Sequence, residues 1–155
     1  MTEPRDLRPI PPAQAELALP ALRALRLDSP HTATPDALRA FLNTTGPEGY
    51  ALVGAFEPGR EEAAAVARYC VMHLLHAGRT LYVDDLSTLL GARGRGHARA
   101  LLHWLKGRAR ELDCAALHLD SGVGETRFTA HRLHHRAGMN VTAHHFSLPL
   151  GRGTA

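Results

Sequence analysis

Three groups of residues in this chain have types and spacing suited to chemistry. The first is the run Arg93-Gly94-Arg95-Gly96-His97-Ala98-Arg99, the second the adjacent acids Asp84 and Asp85 in an otherwise apolar stretch, and the third the histidines His131, His134 and His135. A glycine-rich turn that opens into a helix leaves backbone N–H groups unpaired at the positive end of the helix dipole, and such a turn binds phosphate. Gly94 and Gly96 admit a ligand close to the backbone without a Cβ in the way, and Ala98 is nearly as small. Arg93, Arg95 and Arg99 add positive charge around the same concavity, so the ligand it suits is a pyrophosphate.

Two other phosphate-binding loops are excluded. No Gly-x-x-x-x-Gly-Lys-[Ser/Thr] run occurs, and Gly94-Arg95-Gly96-His97-Ala98-Arg99 lacks both the third glycine and the downstream acid of a dinucleotide fingerprint. The histidines carry no metal pattern. His131, His134 and His135 have i, i+3, i+4 spacing, but no cysteine or acid completes a ligand set, and most of the eleven histidines read as surface residues.

The turn needs a strand before it and a helix after it, and both are legible. Residues 80–88 read as a strand, 91–96 as a loop, 97–112 as a helix and 115–120 as a second strand with Leu117 and Leu119. Within the helix Ala98, Leu101, Leu102, Leu105, Ala109 and Leu112 form one apolar stripe at three- and four-residue spacing. Upstream, residues 7–10 read as a short strand, and 13–27 as a helix bent or broken at Pro20 with Leu17, Leu22 and Leu25 inward. Thr34-Pro35-Asp36 supplies a hydroxyl cap, a first-turn proline and an acid at a helix start, with Leu38, Phe41 and Leu42 on the inner face. Residues 50–56 read as a strand entering a hairpin turn at Glu57-Pro58-Gly59. Residues 63–75 are ambiguous: three alanines favour helix, whereas Val66, Tyr69, Cys70 and Val71 favour strand. Downstream, a helix over 125–136 stops at Gly138, and 139–150 is extended, with Phe146 and Leu148 on one side.

Composition bounds the function class. At 155 residues, with 45% apolar and 21% charged residues, the chain is expected to be one domain spanning 1–155. Cys70 and Cys114 lie in apolar stretches and read as free thiols, which suits a reducing, cytoplasmic setting. No run approaches the roughly 18 apolar residues of a membrane span, so no membrane partner is expected. The net charge of +3 suits an anionic ligand, and with 5% aromatic residues there is no case for nucleic acid.

The stretch Val83-Asp84-Asp85-Leu86-Ser87-Thr88, a four-residue gap, Arg93-x-x-Gly96-x-Ala98 and an apolar helix resembles the acetyl-CoA motif of the GNAT superfamily, [Gln/Arg]-x-x-Gly-x-[Gly/Ala]. A second stretch, Ala130-His131-Arg132-Leu133-His134-His135-Arg136-Ala137-Gly138-Met139, is similar to that superfamily's Ala-x-x-Phe-Tyr-x-x-x-Gly-Phe. The resemblance covers roughly residues 80–139. It implies an α/β (α+β) fold with a mixed, mostly antiparallel sheet of six to seven strands, about four flanking helices, and a splay between the fourth and fifth strands.

The resemblance further implies acetyl transfer from acetyl-CoA to a primary amine of a small molecule, peptide or protein, by direct transfer in a ternary complex, with a homodimer allowed. The amides of Gly94, Arg95, Gly96, His97, Ala98 and Arg99, with Arg93, would hold the cofactor pyrophosphate. The main chain of Leu86, Ser87 and Thr88 would pair with the pantetheine arm like an extra strand, and an N–H near Leu86 would polarise the thioester. Amine attack needs a proton acceptor, and the departing thiolate, whose thiol has a pKa of about 8.5, needs a donor. Strand alternation sends Asp84 and Asp85 to opposite faces, so only one reaches the acetyl group; either serves as base through a water, or is a strand acid bonded to a neighbouring loop. His134 stands where the superfamily usually has a tyrosine acid. Imidazolium can donate a proton too; loss of turnover with retained coenzyme A binding is the competing outcome. Acceptor choice is assigned to residues 26–34 and 139–145, with His144 or His145 lining the pocket or lying on an edge.

Overall fold

A computed structural model describes residues 5–151 and divides into two units, one ending at Leu119 and one beginning at Asp120. The first holds one five-stranded sheet: β1 (Asp6–Pro9), β2 (Ala51–Phe56), β3 (Ala65–Leu74), β4 (Gly78–Thr88) and β5 (Ala116–Leu119). Strand order follows the chain, every pair is antiparallel except β4 with β5, which is parallel, and the crossover between those two carries a helix. Three helices belong to this unit: α1 (Ala15–Leu25), α2 (Pro35–Thr45) and α3 (His97–Glu111). A fourth, α4 (Phe128–Arg136), belongs to the second.

Local chemistry explains most of these boundaries. Thr34 Oγ1 accepts from the Ala37 amide at 3.1 Å, so α2 starts at the capped position read from the sequence. The α1 helix is unbroken across Pro20; it buries the small Ala15, Ala18 and Ala21 together with Leu19 and Leu22, and Leu17 packs partly buried against the same cluster. Those small side chains bring α1 close to the sheet, in a core cluster with Ile10, Leu38, Leu42, Leu52, Phe56 and Val66. The ambiguous stretch becomes β3, because β2 and β4 pair with it on both edges and its alanines are completely buried. There, tertiary pairing overrides the helical preference of alanine.

Alternation along β3 separates two layers. Val66 lies in the α1–α2 cluster, whereas Tyr69, three residues on, meets Trp104 of α3 edge to face at 5.9 Å. On α3 the buried residues are His97, Leu101, Leu102, Leu105 and Ala109; of the expected stripe, Ala98 and Leu112 are only partly buried, and His97 takes the first buried position instead.

In the second unit, Gly138 adopts φ +88° after α4, and the Met139 amide donates to the His134 carbonyl at 3.0 Å, a helix stop of the left-handed type. Residues 139–150 form no strand. Val141, Phe146, Leu148 and Leu150 are exposed, and the expected six to seven strands number five among the described residues. The alternating apolar pattern at Phe146, Leu148 and Leu150 specifies a face for a strand, but a strand also needs a neighbouring edge to bond to, and no ladder engages this segment.

Leu105 is completely buried on the α3 stripe. Leu105→Ala is expected to cost about 2–5 kcal/mol of unfolding free energy, read from the urea midpoint at unchanged slope.

Candidate active site

The glycine turn has the geometry of an anion cradle. Gly94 and Gly96 take φ +79° and +82°, where side chains are strained, and Gly96 caps α3 without any side-chain acceptor. No acid occupies the first turn of α3, so its unpaired amides and dipole end are left for a ligand. Around Gly94 the space a Cβ would fill is open. Arg93, Arg95 and Arg99 are exposed around the turn. A fourth arginine joins them: Arg5 donates to the Arg95 carbonyl, and a Cβ on Gly96 would stand 2.9 Å from its Nη2.

His97 is an internal anchor rather than a surface histidine. Its ring is buried, and its Nε2 lies 2.7 Å from Glu57 Oε1. The same carboxylate accepts from Arg95 Nη1 at 2.8 and 2.9 Å. Glu57, in the turn leaving β2, thus ties the glycine turn to the connection between β2 and β3. The bonds from His97 and Arg95 hold its carboxyl below the ordinary glutamate value.

The strand that leads into the turn is shared unevenly by its neighbours. β5 pairs with β4 only from Thr80↔Ala116 to Val83↔Leu119. Beyond Val83, residues 85–88 pair with β3 alone, through Asp85↔Arg68, Leu86↔Ala67, Ser87↔Val66 and Thr88↔Ala65. Among the described residues of this unit, no strand pairs with the other edge of Leu86, Ser87 and Thr88. Ser87 spends its hydroxyl inward, donating to the Ala21 carbonyl at 2.6 Å.

At the point of separation β4 carries one extra residue. Tyr69 stands opposite Val83 and Arg68 opposite Asp85, leaving Asp84 as a β-bulge. The bulge overturns the alternation expected for the two acids. Asp84 is bound by Arg68, which packs on Phe41 of α2, and Asp85 by Arg26 at the end of α1, with Nε to Oδ1 at 2.9 Å. Both carboxylates therefore meet arginines on the α1–α2 side. Burial pushes the Asp84 carboxyl above the ordinary aspartate value, Arg68 opposes that rise, and neighbouring Asp85 adds to it.

Arg68 is 6% exposed and sits in an aromatic column. Its Cζ lies 3.8 Å from the Tyr50 ring centroid and 5.0 Å from that of Phe41, and His31 lies against Phe41 at 4.4 Å. Tyr50 is also hydrogen-bonded to Cys70, and that bond raises the Tyr50 pKa. The sequence marks none of Arg5, Tyr50, Glu57 or Arg68 as a site residue, and Arg26 only as the first residue of the acceptor segment 26–34. The signal available for Arg68 was an arginine within the apolar run Ala63-Ala64-Ala65-Val66-Ala67-Arg68-Tyr69-Cys70.

His134 belongs to the second unit, on α4. Its ring is half-buried, and burial together with His131 and His135 lowers its pKa, so it is neutral at pH 7. Its neighbours are committed locally: His131 Nε2 lies 2.7 Å from the Gly122 carbonyl and His135 Nδ1 3.1 Å from that of Met139. His145 Nδ1 lies 3.3 Å from Asp120 Oδ2, and His144 is exposed.

The sequence profile of the Acetyltransferase (GNAT) family matches residues 16–139. The chain belongs to the GNAT acetyltransferase family. No curated protein matches it in sequence. Among solved structures it resembles a Trypanosoma brucei acetyltransferase at TM-score 0.76 and 17% identity, over 95% of this chain and 100% of the other. It resembles glucosamine-6-phosphate N-acetyltransferase from Arabidopsis thaliana at TM-score 0.75 and 14% identity, over 96% and 100%. A transcriptional regulator from Bacillus halodurans is similar at TM-score 0.75 and 18% identity, over 95% and 100%. At these identities the likeness is one of fold, and the GNAT fold here is a mixed α/β fold with, among the described residues, a five-stranded sheet and four α-helices.

The lowered Glu57 pKa gives a pH prediction. The stabilisation from its bonds to His97 and Arg95 is fully present above the unfolded glutamate value of about 4.3 and is lost as pH falls through the lower folded value. Glu57→Gln should lower stability at pH 7 and flatten the acid side of the stability curve, measured by urea unfolding between pH 3 and 7 at roughly one-unit steps.

Proposed function

We propose that this chain transfers the acetyl group of acetyl-CoA to a primary amine of a small molecule or a peptide or protein, by direct transfer in a ternary complex, with residues 1–155 acting as one acetyltransferase domain. One observation carries this reading: the uncapped glycine turn and the open edge of β4 belong to the same unit, and the bulged Asp84 lies where that edge begins. The fit is chemical as well as spatial, since left-handed Gly94 and Gly96 clear a path to amides that have no acid or cap against them.

In this reading the amides of Gly94, Arg95, Gly96, His97, Ala98 and Arg99 hold the pyrophosphate, with charge from Arg93, Arg95, Arg99 and Arg5. The free edge of Leu86, Ser87 and Thr88 takes the pantetheine arm by strand addition. Acetyl-CoA supplies the acetyl group as a thioester. The N–H near Leu86 stabilises charge on the carbonyl oxygen. Asp84 takes the proton of the attacking amine directly or through one water, and its raised pKa makes it a better base than an exposed aspartate. Asp85, held by Arg26, keeps the α1 end of the acceptor side in place. His134, neutral at pH 7, serves the departing sulfur by donating an N–H hydrogen bond. Among the described residues no helix is long and apolar enough to cross a membrane, and the reading takes a cytoplasmic setting.

The test is release of free thiol from acetyl-CoA with a panel of primary amines. Turnover with at least one amine is expected, and none with any amine would refute the enzyme reading. Asp84→Asn should lower kcat by about 10²–10⁴-fold with KM for acetyl-CoA little changed. His134→Phe at unchanged turnover would remove His134 from the mechanism.

A further inference from the structure

Arg68 has no part in the chemistry described so far, yet it is the most completely enclosed charge around Asp84. Burying an arginine in this way is costly unless the cation is paired and bonded. The carboxylate satisfies one guanidinium nitrogen, Nη1, while Nε is buried with no hydrogen-bond partner. The remaining compensation comes from two aromatic faces, Tyr50 at 3.8 Å and Phe41 at 5.0 Å, supplied from just before β2 and from α2. An arginine kept only to stabilise the core would more simply be an apolar residue. The guanidinium carbon lies over both rings, and Nη1 reaches Asp84 from that position.

We propose that Arg68 is a positioning residue for acyl transfer: gripped between Tyr50 and Phe41, it aims the Asp84 carboxylate and keeps it ionised and ready to take the amine proton. The inference rests on the assignment of Asp84 as base. Without Arg68, the buried and bulged carboxylate, with Asp85 next to it, would stay protonated to higher pH. The other groups around Asp84 do not replace it. Arg26 is spent on Asp85 and touches only the Asp84 backbone carbonyl, at 3.5 Å, while Tyr50 and Cys70 are uncharged at neutral pH with pKa values raised further. The column also reaches outward. His31, in the connection between α1 and α2, packs tilted against Phe41, so that ring braces both this connection and Arg68.

The experiment is a carbon-13 NMR titration of aspartate-labelled protein, with Asp84→Asn used to assign the signal. Arg68→Met should raise the Asp84 midpoint by about one pH unit or more. Arg68→Lys, which keeps the charge and loses the planar stack, should fall between, and Tyr50→Leu, which keeps both charges, should raise it by less. If Arg68→Met does not fold by circular dichroism, the other two variants decide. An Asp84 midpoint unmoved in the folded variants overturns the proposal.

The pH profile of kcat/KM with the best amine of the panel supplies the catalytic readout. Its acidic limb should move up in step with the titration. A structural role alone would lower the rate by one factor at every pH and leave the limb in place, and that result also overturns the proposal. Full activity in Asp84→Asn would instead remove the base assignment, a separate failure, because the link between Arg68 and Asp84 is read by the titration itself.

Discussion

Most of the site's chemistry depends on the register of β4 against its two neighbours. β5 runs beside it only as far as Val83, and β3 runs beside it to Thr88 at the cost of one extra residue, Asp84. A regular strand at this place would turn Asp84 and Asp85 to opposite sides of the sheet. With the bulge, both meet arginines on the α1–α2 side, and a hydrogen-bonding edge is left free one residue further on. A buried carboxylate there requires a cation, the cation requires shielding, and Arg68 between Tyr50 and Phe41 meets both needs. In this way a one-residue register defect accounts for an unusual set of aromatic and charged residues drawn from β3, α2 and the residue just before β2.

The second fixed point is the start of α3. Leu101, Leu102 and Leu105 are essentially fully buried, at roughly 1.5–3 kcal/mol each, so the helix cannot shift relative to the sheet without exposing them. His97 extends the buried stripe to the first helical residue and bonds to Glu57, which fixes the turn to the end of β2. The amides at the helix N-terminus are therefore set in place by packing and by the bonds of Glu57 to His97 and Arg95.

Much of this was legible in the sequence for identifiable reasons. The strand, turn and helix around Gly94 and Gly96 carry local signals, namely glycine at left-handed positions and an apolar stripe at helical spacing. The cap at Thr34 and the stop at Gly138 are equally local. What escaped reading is non-local. A bulge is a mismatch between two strands, and nothing in Asp84-Asp85 alone reveals it. Glu57 and Arg5 lie far along the chain from the turn they touch. Residues 63–75 were undecided because alanine favours a helix, and only pairing on both edges makes them a strand. Conversely, Phe146 and Leu148, on one side of the extended stretch 139–150, suggest a strand, and this stretch forms none.

The measurement that bears most directly on the central claim is a crystal structure of the chain with coenzyme A bound. The expected result is a pyrophosphate accepting from the amides of residues 94–99, a pantetheine arm bonded along the free edge of residues 86–88, and a sulfur close enough to Asp84 that an attacking amine would be reached directly or through one water. Coenzyme A bound away from the Gly94 and Gly96 turn, or a sulfur on the side of the sheet away from Asp84, would contradict it.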